Sequence, residues 1–378
     1  MDYAATSPLD PRVLTAMKPY FTDVYGNASS INTLGLEAKR ALEDARKSVA
    51  ELMNAEPTKL IFTGGATEAN NMLLKGFAFG WGKEKTHIAV STIEHDCVLN
   101  SAKWLEKQGF KVTYLPVDGY GVLDLGELER ALRRGASLVS IIHANNEIGT
   151  IQPLREIGEM CHDYGAFFHT DAAQSFGKIP IDVRRMNIDA MTVNAHKMYG
   201  PKGIGALFVK PELEIEPLLH GGSHEFGLRA GTENVPSIIG FAKTVKLRKE
   251  EMEREATKLT KLSDRLIQGI LKVEESYLNG HPTKRLPNIN NFRFAYIEGE
   301  ALLLLLNDQG IATSTGSACA STTNEPSHVL LAIGVKPDEA RGSLRISLGK
   351  YNVEEDIDYI LDVLPKAVKR LRAISPLS

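Results

Sequence analysis

The sequence predicts an α/β protein with a mostly parallel sheet covered by helices, followed by a smaller α+β unit. Three observations support this. Short apolar runs alternate with amphipathic stretches over the first two thirds of the chain. Residues 237–273 are strongly helical, and 246–265 are dense in Lys, Glu and Arg. Strand and helix patterns then mix again. This change in composition indicates a domain boundary inside or near a long helix.

The alternating region accounts for seven strands and four helices. Apolar runs with the length of buried strands lie at 60–63, 88–91, 112–117, 138–143, 166–170, 190–193 and 206–209. Helical periodicity appears at 67–77, 98–107, 125–133 and 154–164. Toward the C-terminus, a strand is predicted at 342–348 and a helix at 353–371. The order of these elements favours a parallel sheet.

Charge and hydrophobicity exclude several classes of function. The 44 basic and 47 acidic residues give a formal net charge of −3 without a dense basic stripe, so direct binding to nucleic acid or to an anionic membrane is not expected. The longest purely aliphatic stretch, 301–306, is far shorter than the roughly 20 residues that span a bilayer. The first residues lack the basic and apolar regions of a secretion signal. We therefore expect a cytoplasmic protein.

Three cysteines, Cys97, Cys161 and Cys319, cannot form a fully paired disulfide framework and show no CxxC spacing. A reducing compartment fits this usage best. The pairs Cys161-His162 and His95-x-Cys97 could be read as metal ligands, but isolated pairs of this kind are ordinary. We predict no metal site.

Lys197 is the first candidate for chemistry. It follows the predicted strand 190–193 and precedes a turn rich in Gly and Pro, so its amine can project from a strand end, where open α/β sheets bind ligands. This setting suits a Schiff-base lysine, whose pKa must fall before the neutral amine can attack a carbonyl. A solvated surface lysine is the commoner interpretation of a lone Lys, so further groups are needed.

The remaining parts of a pyridoxal-phosphate (PLP) site can be identified along the chain. Asp171 ends an apolar run and could pair with a pyridine nitrogen, since a protonated ring is the electron sink of this cofactor. A helix-capping role explains Asp171 equally well. Gln174 could reach the phenolic oxygen. Residues 62–70 supply a strand, a Gly turn and a helix start for a phosphate, although such turns are common. His95 suits stacking on a planar ring, with an exposed loop histidine as the simpler alternative.

Taken together, these motifs make the sequence resemble a known family, the group I cysteine desulfurases, which are PLP-dependent enzymes of fold type I. The resemblance covers essentially the whole chain. It is carried in order by Ala4-Ala5-Thr6, Tyr25-Gly26-Asn27, Gly65-Ala66-Thr67-Glu68, Glu94-His95, Asn145-Asn146-Glu147-Ile148-Gly149, Asp171-Ala172-Ala173-Gln174-Ser175, His196-Lys197, Gly221-Gly222, Arg229-Ala230-Gly231-Thr232 and Ser343-Leu344-Arg345.

The resemblance implies a homodimer, a role for each residue and a division into domains. Lys197 would carry PLP, Asp171 would pair with its ring nitrogen and His95 would stack on the ring. The other cofactor or substrate contacts that it implies are Gln174 and Asn146 at the phenolic oxygen and substrate side, and Ala66, Thr67, His196 and the neighbouring subunit's copy of Thr232 at the phosphate. The large domain would comprise residues 8–254, and the small domain residues 1–7 and 255–378.

Three positions depart from the family pattern. Asn194 stands where a phosphate-binding Ser is usual, Asn32 where many members carry His, and Ala28 where Pro is common. Asn194 can still donate a hydrogen bond to phosphate through its amide, so it stays among the predicted cofactor ligands.

Cys319 lies in a segment, 314–323, made almost only of small residues, which predicts a mobile surface loop. An exposed thiol on such a loop suits a nucleophile that receives a cargo and delivers it elsewhere. The resemblance identifies the segment as the family's long persulfide loop, with Thr315 where Ser is more usual, and it implies L-cysteine as substrate. Cys97 lacks this context and is interpreted as structural.

Arg345 is the candidate for binding the substrate carboxylate. Strand alternation places Leu344, Ile346 and Leu348 on one face and Arg345 on the other. Pairing with an acid is the alternative role for an Arg at this position. The resemblance and the planar, bidentate geometry of guanidinium with carboxylate favour substrate binding, with Asn146 as a second contact.

The expected function is conversion of L-cysteine to L-alanine, with a persulfide on Cys319 that passes to an iron–sulfur scaffold or a sulfur-carrier protein. The catalytic residues would be Lys197, Cys319 and His95. Selenocysteine lyases usually have a shorter Cys-bearing loop, and an aminotransferase would not need Cys319. A non-catalytic relative would be expected to lose Lys197 or Asp171.

Overall fold

The computed structural model describes residues 1–316 and 325–375. The described helices are α1 (Pro11–Met17), α2 (Pro19–Thr22), α3 (Thr33–Leu52), α4 (Ala66–Trp81), α5 (Asp96–Lys107), α6 (Leu125–Arg133), α7 (Leu154–Asp163), α8 (Val235–Ile270), α9 (Gly299–Asn307), α10 (His328–Ala332), α11 (Pro337–Arg341) and α12 (Glu354–Ile374). The described strands are β1 (Leu60–Thr63), β2 (His87–Ser91), β3 (Lys111–Leu115), β4 (Leu138–Ile142), β5 (Phe167–Asp171), β6 (Ala190–Asn194), β7 (Gly205–Val209), β8 (Ser276–Asn279), β9 (Ile289–Phe294) and β10 (Ser343–Ser347).

The large sheet has the strand order β1-β7-β6-β5-β4-β2-β3. Only β7 runs antiparallel to its neighbours among these seven strands. Five strands are buried along their whole length and β5 is buried except at its first residue, Phe167, which explains their continuous apolar runs, while the edge strand β3 is partly exposed. The predicted fold class and seven-stranded sheet are therefore confirmed. The strand predicted at 112–117 stops at Leu115, since Pro116 has no N–H for the ladder.

The parallel strands bring several chain positions to one edge of the sheet. Ile142 at the end of β4 pairs in register with Asp171 at the end of β5. Asn194 ends β6, and Thr63 ends β1. In open α/β sheets, ligands bind outside the carboxyl ends of the strands. This edge is therefore where the candidate site is expected.

The N-terminal helices α1 to α3 were not among the predicted elements. Asn32, one of the departures from the family pattern, is the N-cap of α3 and accepts a hydrogen bond from the Gly35 N–H at 2.9 Å. An Asn at this position satisfies one of the unpaired amides of the helix start. The change at position 32 thus has a local structural role.

Helix α8, 36 residues long, joins two separate cores. Its first part packs Ile238 and Phe241 into the core of the large sheet. Its last part packs Leu259 and Leu266 against the antiparallel sheet β10-β9-β8 and against α9 and α12. We propose the predicted division at 8–254 and at 1–7 with 255–378, because the change of core occurs between these two parts of α8.

The first residues of the chain lie against the last strand. Asp2 forms a β-bridge with Ser347, and the Ala4 N–H donates to the Ser347 hydroxyl at 2.8 Å. These bonds bring the carbonyls of Ala4 and Ala5 to the carboxyl edge of the large sheet. In the described ranges, 1–316 and 325–375, no helix has the length and apolar character to cross a membrane.

Candidate active site

A cavity of about 900 Å³ lies at the carboxyl edge of the large sheet. It is lined by ten of the predicted site residues, namely Ala66, Thr67, His95, Asn146, Asp171, Gln174, Asn194, His196, Lys197 and Arg345. Thr232 is exposed and instead lines a smaller neighbouring cavity with Gly64 and Gly203. Cys319 lies outside the described residues. The sequence thus identified most of the polar lining of one cavity.

Lys197 lies three residues beyond the end of β6. Its amine donates to the carbonyl of Ala4 at 2.6 Å and to that of Ala5 at 2.7 Å. Its own backbone N–H donates to Asn194 Oδ1 at 3.3 Å, which leaves the Asn194 amide nitrogen as the donor end of that side chain. The N-terminal segment therefore completes the surroundings of the lysine.

Asp171 is buried at the end of β5. One carboxylate oxygen accepts from Asn70 Nδ2 at 2.7 Å, and the other from the Ala173 N–H at 2.9 Å. These donors fix the carboxylate in the cavity wall. Each oxygen retains acceptor capacity for one further donor, which is what a protonated ring nitrogen requires.

His95 is the N-cap of α5 and half-buried in the cavity wall. Its Nδ1 accepts from the Cys97 N–H at 3.2 Å and lies 3.1 Å from Cys97 Sγ. Because Nδ1 acts as an acceptor, the proton of the neutral ring lies on Nε2. Burial raises the pKa of the Cys97 thiol to about 12. Cys97 is thus a cavity residue, but one whose environment disfavours the thiolate.

The N-terminus of α4 forms another wall of the cavity. Its N-cap, Gly65, has φ of 149°, a conformation that L side chains rarely adopt, and this turn aims the first amides of Ala66 and Thr67 at the cavity. The end of a 16-residue helix with small residues in its first turn is suited to an anion such as phosphate.

His196 and Lys202 line the cavity together with Lys197. His196 Nδ1 shares a hydrogen bond of 3.2 Å with Thr6 Oγ1. Burial lowers the pKa of His196 to about 4, with repulsion from Lys197 and Lys202 adding to the effect. His196 is therefore neutral near pH 7 and can act as a hydrogen-bonding group without a charge.

Arg345 is 1% exposed and lies on β10. Its Nη1 donates to the backbone oxygen of Asn146 at 2.9 Å, and its Nη2 to Asp2 Oδ1 at 3.1 Å. Among the described residues, its buried Nε has no hydrogen-bond partner. A buried guanidinium in the wall of a cavity, with one donor unsatisfied by the protein, matches a carboxylate ligand.

The described chain stops at residue 316 and resumes at residue 325, and both of these ends lie near the part of the cavity wall that contains Arg345. Ser314 exchanges both backbone hydrogen bonds with Arg345, and Ser343 Oγ donates to the Thr315 carbonyl at 2.9 Å. On the other side, Ser327 Oγ donates to Glu147 Oε2 at 2.6 Å. The segment that carries Cys319 is therefore attached at both described ends to residues next to the cavity.

This set of groups fits PLP and an amino acid. The cavity holds an amine for the aldehyde, a carboxylate for the ring nitrogen, a helix N-terminus for the phosphate and an unsatisfied guanidinium for a substrate carboxylate. In the part of the chain that the structure describes, no group of three or more His, Cys, Asp or Glu side chains is placed to hold a metal ion.

Sequence reasoning missed several groups of the site. Asn70, which holds Asp171, had one available signal, since it is a polar residue on the buried face of α4 beside Ala69 and Leu73. The Ala4 and Ala5 carbonyls have no side-chain signal. Lys202 and Cys97 also line the cavity, and their closeness in sequence to Lys197 and His95 was the signal that could have identified them.

Comparison with known proteins agrees with this geometry. The model of the aminotransferase class-V family matches residues 1–360. A protein of Archaeoglobus fulgidus named cysteine desulfurase IscS 1 is 50% identical over 376 residues, which cover 100% of this chain and 98% of that protein. Cysteine desulfurase IscS of Methanosarcina thermophila is 51% identical over 378 residues, which cover 100% of this chain and 94% of the relative.

A solved structure described as a NifS-like protein superposes with a TM-score of 0.92 at 38% identity, covering 98% of this chain and 99% of the other. The fold and the cavity define a PLP-dependent enzyme of fold type I. The chain belongs to the aminotransferase class-V family and, within it, to the cysteine desulfurases. The expected family is therefore confirmed.

Proposed function

We propose that this protein releases sulfur from L-cysteine as a persulfide on Cys319 and leaves L-alanine, with the residue roles predicted from the sequence. The observation that carries the proposal is the meeting of Lys197, Asp171 and Arg345 in one cavity, next to both described ends of the segment that contains Cys319. An aminotransferase would also need Lys197, Asp171 and Arg345, but it would not need a cysteine-bearing segment attached beside the cavity.

PLP, when bound, supplies an electron sink for the charge that develops at the substrate Cα. Ala66, Thr67, Asn194 and His196 would hold its phosphate, with Thr232 of a second subunit, and His95 would stack on its ring. Asp171 would keep the ring nitrogen protonated. Arg345 and Asn146 would orient the substrate carboxylate. A free Lys197 amine would take the Cα proton.

Cys319 would attack the substrate sulfur as a thiolate. The S–Cβ bond of the substrate would break as a new S–S bond forms on Cys319, and two protons, one to Cβ and one back to Cα, would complete alanine. His95, with its proton on Nε2, is the candidate for moving protons during this exchange.

The further proposals are a homodimer, a cytoplasmic location, and an iron–sulfur scaffold or sulfur carrier as the acceptor. The exposed position of Thr232, outside the main cavity of its own chain, supports a role across a subunit interface. Cys97 and Cys161, the cysteines among the described residues, form no disulfide, which supports a reducing compartment. The name IscS of the relatives favours the iron–sulfur pathway.

The function is tested by incubating the purified, PLP-loaded protein with L-cysteine and a reductant. We expect equal amounts of alanine and sulfide. Formation of a keto acid in place of alanine would identify an aminotransferase and refute the proposal. Parallel assays with selenocysteine test for selenocysteine lyase activity, which the same cofactor site would permit. A large preference for selenocysteine over cysteine would also refute the proposed function.

Asp171→Asn is expected to lower kcat for L-cysteine by on the order of 10²-fold, because a neutral amide cannot hold a proton on the ring nitrogen. The covalent attachment of the cofactor to Lys197 should persist. Steady-state kinetics and borohydride trapping measure the two effects separately. The matched control is Asp189→Asn, because Asp189 is also a buried carboxylate but pairs with Lys210 and does not line the cavity. Normal turnover in Asp171→Asn would leave Asp171 with only the structural role of accepting hydrogen bonds from Asn70 and from the Ala173 N–H.

A further inference from the structure

A second lysine lies directly behind the cavity and has no role in the mechanism above. Lys178 is in the turns that follow β5, and its amine donates to Gln174 Oε1 at 3.2 Å. Part of the side chain is exposed, but the amine itself is enclosed by protein, and this burial lowers its pKa to about 7, with repulsion from Lys197 adding to the effect. Lys178 does not line the cavity, whereas Gln174 does.

The partners of Gln174 fix the orientation of its amide. A lysine amine offers N–H donors to an oxygen, so Lys178 must face Oε1. A carbonyl can only accept, so the Ala4 oxygen, 2.9 Å from Nε2, must face the amide nitrogen. Both contacts select the same orientation, and in it the second N–H of Gln174 remains for the cavity.

The same Ala4 carbonyl also accepts from the Lys197 amine at 2.6 Å. Lys178, Gln174, Ala4 and Lys197 therefore form one continuous series of hydrogen bonds, from behind the cavity to the lysine that would carry the cofactor. Hydrogen bonds in series polarise one another, so a Lys178 N–H that donates to Oε1 makes the Gln174 N–H a stronger donor, most strongly below about pH 7, where Lys178 is an ammonium.

We propose that Lys178 is a positioning residue, which orients and polarises the Gln174 amide so that it donates into the cavity toward the ring oxygen of the cofactor. The inference rests on the proposed function, in which Gln174 holds that oxygen. A stronger donor favours the anionic oxygen. It thereby lowers the pH at which the bond between the cofactor and Lys197 takes up a proton.

A direct effect of charge has to be separated from the route through Gln174. The charged groups that act on Lys178 are Lys197, Arg248, Glu255 and Arg345. Arg248 also donates to the Gly177 carbonyl at 3.0 Å and pairs with Glu255 at 2.6 Å. All of these groups remain when Lys178 alone is replaced. The effect of replacing Lys178 must therefore be compared in the presence and in the absence of Gln174, which distinguishes a direct charge effect from one that acts through Gln174.

The first experiment measures the absorbance of the bound cofactor against pH in the PLP-loaded protein, and the Kd of PLP for the apoprotein. Lys178→Met should raise the midpoint of the absorbance change by roughly 0.5–1 pH unit and weaken PLP binding several-fold. Lys178→Arg should return both toward the wild-type values. Lys178→Gln, a second neutral variant, replaces Lys178→Met if that variant does not fold. Lys210→Met, which removes a partly buried, ion-paired lysine outside the cavity, is the control and should change neither.

The second experiment repeats the titration in a Gln174→Ala background, where Lys178→Met should shift the midpoint by less than a third of its effect in wild type. An equal shift in both backgrounds would show a direct charge effect and overturn the proposal, as would an unchanged midpoint in Lys178→Met. The titration needs no turnover. Failure of the wild-type protein to release alanine would therefore refute the proposed function without deciding the role of Lys178.

Discussion

Lys197→Ala is expected to lower the turnover of L-cysteine by at least about 10³-fold, because this change removes both the attachment of the cofactor and the base for the Cα proton. The amine is held by two backbone carbonyls, and a second cavity lysine, Lys202, is exposed and follows a different turn. Other amines are therefore not expected to replace it.

The measurement for Lys197 is borohydride reduction of the loaded protein, followed by peptide mapping. The reduced cofactor should be found on the peptide containing Lys197 and should be absent from that peptide in Lys197→Ala. The matched control is Lys202→Ala, in which the adduct on Lys197 should remain. An adduct on Lys202 in the wild-type protein would overturn the assignment.

Cys319→Ser is expected to abolish both the persulfide and the stoichiometric release of alanine. A serine hydroxyl ionises far less readily than a free thiol, whose pKa is about 8.5, and it is a poor nucleophile toward sulfur. Binding of L-cysteine, seen as a change in the absorbance of the bound cofactor, should persist, because the proposed cofactor contacts lie elsewhere in the sequence.

Mass spectrometry after incubation with L-cysteine distinguishes the three thiols. Cys97 is the rival, since it lines the cavity, but burial raises its pKa to about 12, so its thiol stays protonated near pH 7. Burial also raises the pKa of Cys161, in the core, and Cys161→Ala is therefore the control that should keep full activity. An added sulfur on Cys97, or full alanine release by Cys319→Ser, would refute the role of Cys319.

The large sheet was predictable from the sequence because burial on both faces makes each strand a short apolar run. Helix α3 was not predicted, and the reason is physical. Its buried face repeats at helical spacing, so a signal was present, but alanines such as Ala38 and Ala45 make up part of the face that packs along α8. Packing between two helices can depend on small residues that carry little hydrophobic signal.

The site was predictable where its groups follow strands. Lys197 and Asp171 come at or just after strand ends, and chain order alone places them at the same edge. The groups that hold them were less accessible to sequence reasoning. The carbonyls of Ala4 and Ala5 are about 190 positions from Lys197 and have no side-chain signature. Lys178 acts through Gln174 rather than from the cavity wall, so its position became evident only from the three-dimensional contacts.

The hydrogen bond from Ala4 to Ser347 also affects how the protein is made. Ala4 is synthesised 343 positions before Ser347, a delay of about 20–70 s at ordinary rates of translation. During that time the large sheet can form on the ribosome, but the carbonyls that hold the Lys197 amine still lack the strand against which they are fixed. We therefore expect stable capture of the cofactor to be a late event, which requires nearly the whole nascent chain to have emerged.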